Sequence, residues 1–250
     1  MNKYIVRSFS LVFALLVVAG CSTPSADSSN SKTARVHTEL AGLYYERGQF
    51  GVALEEIAQA LQADQNYAPA YYVRGLVHME LREDNDAEED FKKSIRLDKN
   101  DPKAHYNYGL FLCDRGKEKD SIVQFMAAVK NPLYETPGLA YLNAGLCSRK
   151  AGNSKDAEDF LLKALRIQPG MPQALLAMAE MSFAKGDYAA AKKYFSGYSK
   201  STDNLTAAQL WMAIRIERKT GDRNSEASYA MQLRKRFPDA NEIQLLQRGE

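Results

Sequence analysis

Catalytic equipment is what this sequence most plainly lacks. The 250 residues hold three histidines and three cysteines. No Gly-x-x-x-x-Gly-Lys-Ser/Thr phosphate cradle, His-Glu-x-x-His pair or Gly-x-Ser-x-Gly nucleophile turn occurs, which removes the common routes to phosphoryl transfer, zinc hydrolysis and acyl transfer. His37, His78 and His105 read as packing residues rather than ligands, so no catalytic residue, no metal and no cofactor is expected. An excess of one charge is missing too. Losing an N-terminal leader with Lys3 and Arg7 leaves 31 basic residues against 31 acidic ones, and a neutral chain is a poor general nucleic-acid binder. Disorder is excluded from the other side, since 45% of the residues are hydrophobic.

The N-terminus carries an address. Lys3 and Arg7 precede the apolar run Leu11 to Ala19, too short to span a bilayer, so residues 1–20 read as a signal peptide. Val18-Ala19-Gly20-Cys21 resembles the bacterial lipobox. That resemblance implies cleavage before Cys21 and its acylation with several chains, which would hold the protein firmly on a membrane. Ser22 stands where an Asp would favour inner-membrane retention, so the expected location is the periplasmic face of the outer membrane. Residues 21–32, rich in Ser, read as a lipidated cysteine and a flexible tether.

From Ala34 a pattern recurs with a period of about 34 residues. Ala41, Gly75, Gly109 and Gly145 mark close contacts on a first helix, and Ala53, Ala87, Ala157 and Ala191 answer on a second. Gly48, Gly116, Gly152, Gly186 and Gly221 fall where a first helix ends in a left-handed residue. Ile57, Phe91, Phe125, Leu161 and Phe195 plug the space between helices. The pattern resembles the tetratricopeptide repeat and implies an all-α, right-handed superhelical solenoid. The repeat domain spans 33–250, with six repeats at about 34–67, 68–101, 102–137, 138–171, 172–206 and 207–240. Asn241 to Glu250 is left as either a short capping helix or a frayed tail.

Repeat 3 breaks the period: Gly109 to Gly145 is 36 residues, against 34 for Gly75 to Gly109. The extra length falls at Asn131-Pro132-Leu133-Tyr134-Glu135-Thr136-Pro137, where two prolines forbid a continuous helix.

With no catalysis in view, the remaining chemistry is binding. In this repeat class the first helices line the concave face, which assigns a groove to Tyr72, Val73, Leu76, Met79, Tyr106, Asn107 and Leu110. Such a trough suits the apolar face of a helix or an extended peptide. Some of these side chains are equally compatible with core positions. The same phases further on give Arg149, Lys150, Arg215, Arg218 and Lys219, a more basic end. A carboxylate clamp is rejected, because Thr38 and Gly42 cannot supply the residues it needs beside Asn107. Cys113 and Cys147 lie on first helices of adjacent repeats at similar phases, and neighbouring helices approach to about 8–10 Å. An exported protein would place them in an oxidising compartment, so a Cys113–Cys147 disulfide is expected, two half-buried thiols being the alternative.

Lipobox, Ser-rich tether, six repeats, Asn-Tyr-Gly-x-Phe-Leu-Cys, Asn-Pro-Leu-Tyr-x-x-Pro and Asn-Ala-Gly-Leu-Cys together resemble the type IV pilus biogenesis/stability lipoproteins, the PilF/PilW or pilotin family. The resemblance covers essentially the whole chain. It implies a monomeric, membrane-anchored pilotin that binds the outer-membrane secretin subunit and promotes its localisation and multimer assembly. Two readings share the anchor and the repeats: a lipoprotein that scaffolds peptidoglycan enzymes, and one that serves outer-membrane barrel assembly.

Overall fold

The computed structural model describes residues 26–249. The signal peptide, the lipidation site Cys21 and the start of the tether lie outside the described residues. Among the described residues the chain forms thirteen helices and no strand. They come as six antiparallel pairs: α1 Ala26–Glu46 with α2 Phe50–Ala63, α3 Ala68–Glu80 with α4 Asp84–Leu97, and α5 Pro102–Asp114 with α6 Glu118–Lys130. The series continues with α7 Pro137–Lys150 and α8 Ser154–Ile167, α9 Pro172–Ala184 and α10 Tyr188–Lys200, and α11 Ala207–Thr220 and α12 Arg223–Arg236. A thirteenth helix, α13 Asn241–Arg248, closes the C-terminal end, with Ile243, Leu245 and Leu246 against the last core cluster.

One steric rule holds each pair. The first helix presents almost no side chain where the second inserts a large one. A Cβ added to Gly109 would sit 2.8 Å from the Phe125 ring, and at Gly145 2.8 Å from Leu161. Gly75 leaves the same slot for Phe91, at 3.2 Å. The plugs are fully buried, Phe91 and Phe125 at 0% and Ile57 at 1% exposed, and each contributes roughly 2–3 kcal/mol of burial.

The turns between paired helices are set by a left-handed residue after the first helix. Gly48, Gly116, Gly152, Gly186 and Gly221 have φ between 70° and 81°, a conformation glycine takes without the strain a Cβ brings. The second repeat uses Arg82 at this point, with φ 64°. Side chains cap several helix starts. Asp101 Oδ1 accepts from the Lys103 amide at 2.9 Å just before Pro102, and Thr206 and Gln209 form a reciprocal capping box at α11.

The first helix begins earlier than expected. α1 starts at Ala26 and takes in residues 26–32, read from sequence as flexible tether. No Gly or Pro follows Pro24 before Gly42, and a helix nucleated by the buried Ala34, Thr38 and Ala41 propagates through Ser and Asn at little cost.

Successive first helices touch one another, α1 with α3, α3 with α5, α5 with α7 and α7 with α9, whereas no pair of second helices packs comparably among the described residues. The array therefore curves with the first helices inside. The joint carrying the two-residue insertion, α6 with α7, is the most closely packed of the joints between repeats. No described helix is long and apolar enough to cross a membrane.

Candidate binding groove

The inner face of repeats 2 and 3 carries a ladder of tyrosines and asparagines. The Asn107 amide on α5 donates to the Tyr72 hydroxyl on α3 at 3.1 Å, and the Asn143 amide on α7 donates to the Tyr106 hydroxyl on α5 at 2.8 Å. Asn107 also donates to the Lys103 carbonyl at 3.0 Å, which fixes its amide. Each rung ties a first helix to the next. Burial pushes the Tyr72 phenol up to about 12, with Asp101 adding to the shift. Tyr106 and Tyr134 are raised for the same first reason. All three phenols are neutral at physiological pH; those of Tyr72 and Tyr106 accept from the asparagines, and the buried Tyr134 hydroxyl makes no hydrogen bond among the described residues.

The insertion supplies the wall that the sequence did not reveal. After α6 ends at Lys130, the segment turns back on itself: the Asn131 amide donates to the Asn100 carbonyl at 2.8 Å, and its Oδ1 accepts from the Leu133 amide at 2.9 Å. This places the Tyr134 ring 6.1 Å from Tyr106, which in turn lies 5.8 Å from Phe125. Tyr72, Tyr106, Asn107, Leu133 and Tyr134 then line a cleft of about 460 Å³ together with the polar Lys103, Glu135 and Thr136. Leu133 itself is 85% exposed, the most exposed large apolar side chain among the described residues. The sequence signal was present in Asn-Pro-Leu-Tyr-x-x-Pro, but a loop between prolines does not announce which face it covers.

Of the seven residues assigned to the groove, three line this cleft: Tyr72, Tyr106 and Asn107. Leu110 instead borders a shallower depression beside Cys113, Asn143 and Cys147. Met79 remains half-buried against the cluster around Leu76, Phe91 and Phe111. Val73 and Leu76 are corrected to core residues, each 8% exposed. Gly75 draws α3 tightly onto Phe91, so its neighbours Val73 and Leu76 sink into the clusters on either side while Tyr45 and Tyr72 take the outer positions.

Cys113 and Cys147 are joined, with Cα atoms 5.9 Å apart, across the joint between repeats 3 and 4. Beside them Lys150 donates to the Cys113 carbonyl at 3.0 Å. Three of the other basic residues singled out for this end are engaged as well. Arg149 pairs with Glu180 at 2.5 Å, Arg218 with Glu226 at 2.8 Å, and the Arg215 guanidinium lies 4.5 Å from the Phe183 ring centre. These basic residues are drawn into contacts within the solenoid. Of the histidines, His105 is buried with both ring nitrogens engaged, by Gln124 at 2.7 Å and the Lys99 carbonyl at 3.0 Å. His37 meets Glu56 at 2.7 Å.

Two family models for the tetratricopeptide repeat match, one over residues 38–102 and the other over 139–170. The type IV pilus assembly protein PilF of Pseudomonas aeruginosa is 27% identical over 246 residues, covering 95% of this chain and 97% of that protein. The crystal structure of PilW, described as a widely conserved type IV pilus biogenesis factor, is 30% identical with TM-score 0.71, covering 86% of this chain and 98% of that one. The solved structure of Pseudomonas aeruginosa PilF superposes with TM-score 0.78 at 24% identity, over 89% of this chain and all of that one.

Proposed function

The chain belongs to the PilF/PilW family of type IV pilus biogenesis proteins, and from that premise we propose that it is an outer-membrane pilotin whose cleft receives a segment of the secretin subunit. It works by binding, with no chemistry of its own. Cys21, acylated, anchors the protein at the periplasmic face of the outer membrane, and the solenoid carries the secretin subunit to that surface for assembly into its multimer.

The observation that carries this reading is the cleft of Tyr72, Tyr106, Asn107, Leu133 and Tyr134. Its floor is aromatic, and the Tyr72 and Tyr106 hydroxyls are already tied to Asn107 and Asn143, while the buried Tyr134 hydroxyl makes no hydrogen bond among the described residues, so the cleft suits a partner with apolar side chains and a polar group to meet Tyr134. Rings held by neighbouring helices lose little freedom on binding, which favours affinity. The exposed Leu133 offers an apolar contact at the rim.

Replacing Cys21 with Ser tests the anchoring half. The helical circular-dichroism spectrum should be unchanged, while secretin leaves the outer-membrane fraction and its multimers decline on gels. Normal multimers at the normal location would contradict a piloting role.

A further inference from the structure

The first helices change character halfway along the array. Two residues before the left-handed turn position they carry Glu46, Glu80 and Asp114 in repeats 1–3, then Lys150, Ala184 and Lys219 in repeats 4–6. An acidic series gives way to a neutral and basic one, so a single solenoid presents two unlike surfaces.

The second surface is hollowed. Phe183, Ala184, Ala208, Trp211, Met212 and Arg215 line a cleft of about 560 Å³ between α9 and α11. It adjoins a smaller hollow of about 350 Å³ that shares Glu180 and Ala184 with it and continues to Arg149 on α7. The larger floor is apolar and aromatic, and the run crosses α7, α9 and α11 in turn. A trough of that form suits an extended chain.

Charge selects which chain. The Arg215 guanidinium lies 4.5 Å over the Phe183 ring centre, and the Lys219 ammonium, one turn further along α11, lies 5.8 Å over that of Tyr188. The two rings form an edge-on pair of their own, 5.3 Å apart. Both cations are exposed, and neither meets a carboxylate among the described residues. The acids of α9, α11 and the turns that follow them are committed elsewhere: Glu180 to Arg149, Glu217 and Asp222 to Lys192, and Asp187 to the Ala190 amide at the start of α10. An aromatic ring beneath a guanidinium orients it and leaves its N–H donors open to a carboxylate.

We propose that this trough is a second docking site, and that its occupant is an extended acidic peptide segment of a protein partner, bearing an aromatic or large apolar side chain among its carboxylates. The apolar side chain covers the floor at Phe183, Trp211 and Met212, and the carboxylates meet Arg215 and Lys219. The site is separate from the cleft of Tyr72 and Tyr106 and independent of what that cleft receives.

Trp211 is the single tryptophan of the chain and lines the trough, so its emission reports occupancy directly. The test titrates the mature lipoprotein, in detergent, with tryptophan-free peptide pools that share Phe, Tyr and Leu positions and carry Asp and Glu, Asn and Gln, or Lys and Arg at the rest. The acidic pool should change Trp211 emission saturably, with an affinity at least about tenfold above that of the amide pool and falling as salt is added. The doubly substituted Arg215→Gln, Lys219→Gln protein, altered only at exposed positions, should lose at least about tenfold with unchanged circular dichroism. Tyr134→Ala, which alters the other cleft, should bind the acidic pool as before. No saturable response to the acidic pool, an equal response to the amide or basic pool, or an unchanged affinity in the double variant would each overturn the proposal. So would a Trp211 response to phosphatidylglycerol vesicles and none to peptide, which would assign the two cations to a lipid surface.

Discussion

Tyr134 rests with its ring 6.1 Å from that of Tyr106, so the loop that breaks the repeat period becomes a wall of the inner face. Removing the ring should open the cleft without unfolding the array, because Tyr134 is only half-buried. Tyr134→Ala is expected to cost stability by about 1–2 kcal/mol. Its effect on secretin localisation should far exceed that of a surface change such as Val123→Ala. Urea melts and membrane fractionation check the two halves.

The helix pairs predict their own weak points. Gly109→Ala forces a methyl to 2.8 Å from Phe125, and Gly75→Ala to 3.2 Å from Phe91. The first should destabilise by about 1–3 kcal/mol and the second by less. Gly42→Ala, where nothing lies within 4 Å, should stabilise by up to about 1 kcal/mol. Denaturant midpoints at constant slope give the order.

This part of the fold was legible in the sequence. A small residue on the first helix facing a large apolar one on the second, Gly75 with Phe91, Gly109 with Phe125 and Gly145 with Leu161, is a local steric code that recurs along the chain. The left-handed glycines were legible for the same reason. What was not legible depends on contacts between repeats. Val73 and Leu76 have concave-face phases, yet how far α3 sinks onto α4 decided that they are core. The cleft's outer wall comes from a proline-bracketed loop with no periodicity to read. The glycine rule was also silent at Arg82, which adopts the left-handed turn without the residue that signals it.

The Cys113–Cys147 link closes a loop of sequence separation 34 across the irregular joint. Reducing it should lower stability by about 3–4 kcal/mol on the loop-entropy scale. Repeats 3 and 4 should lose hydrogen-exchange protection first, since repeat arrays open by neighbouring units. Two alkylatable thiols in protein prepared from the periplasm without reductant would contradict the link.

Acid should loosen the second repeat. Lys117 and Lys92 hold the Glu88 carboxyl down to about 2, against 4.5 for a free side chain. A carboxylate depressed in the folded state stabilises above its unfolded value, and that contribution is lost as pH falls from about 4.5 toward 2. Lys117→Gln should flatten this part of the curve, by less than about 1 kcal/mol because the pair is near solvent. Melting temperatures recorded across that window test the sign.

The central claim is that the cleft between Tyr106 and Leu133 receives a segment of the secretin subunit. The most direct measurement places a photo-crosslinking residue at Leu133, and separately at Met231 on the far repeat as a control, in cells making the pilus machinery. Leu133 and Met231 are both well exposed, at 85% and 64%. The account predicts a covalent adduct containing secretin from position 133 and none from position 231. An adduct at 133 with a peptidoglycan enzyme or a barrel-assembly factor, and no secretin, would contradict it.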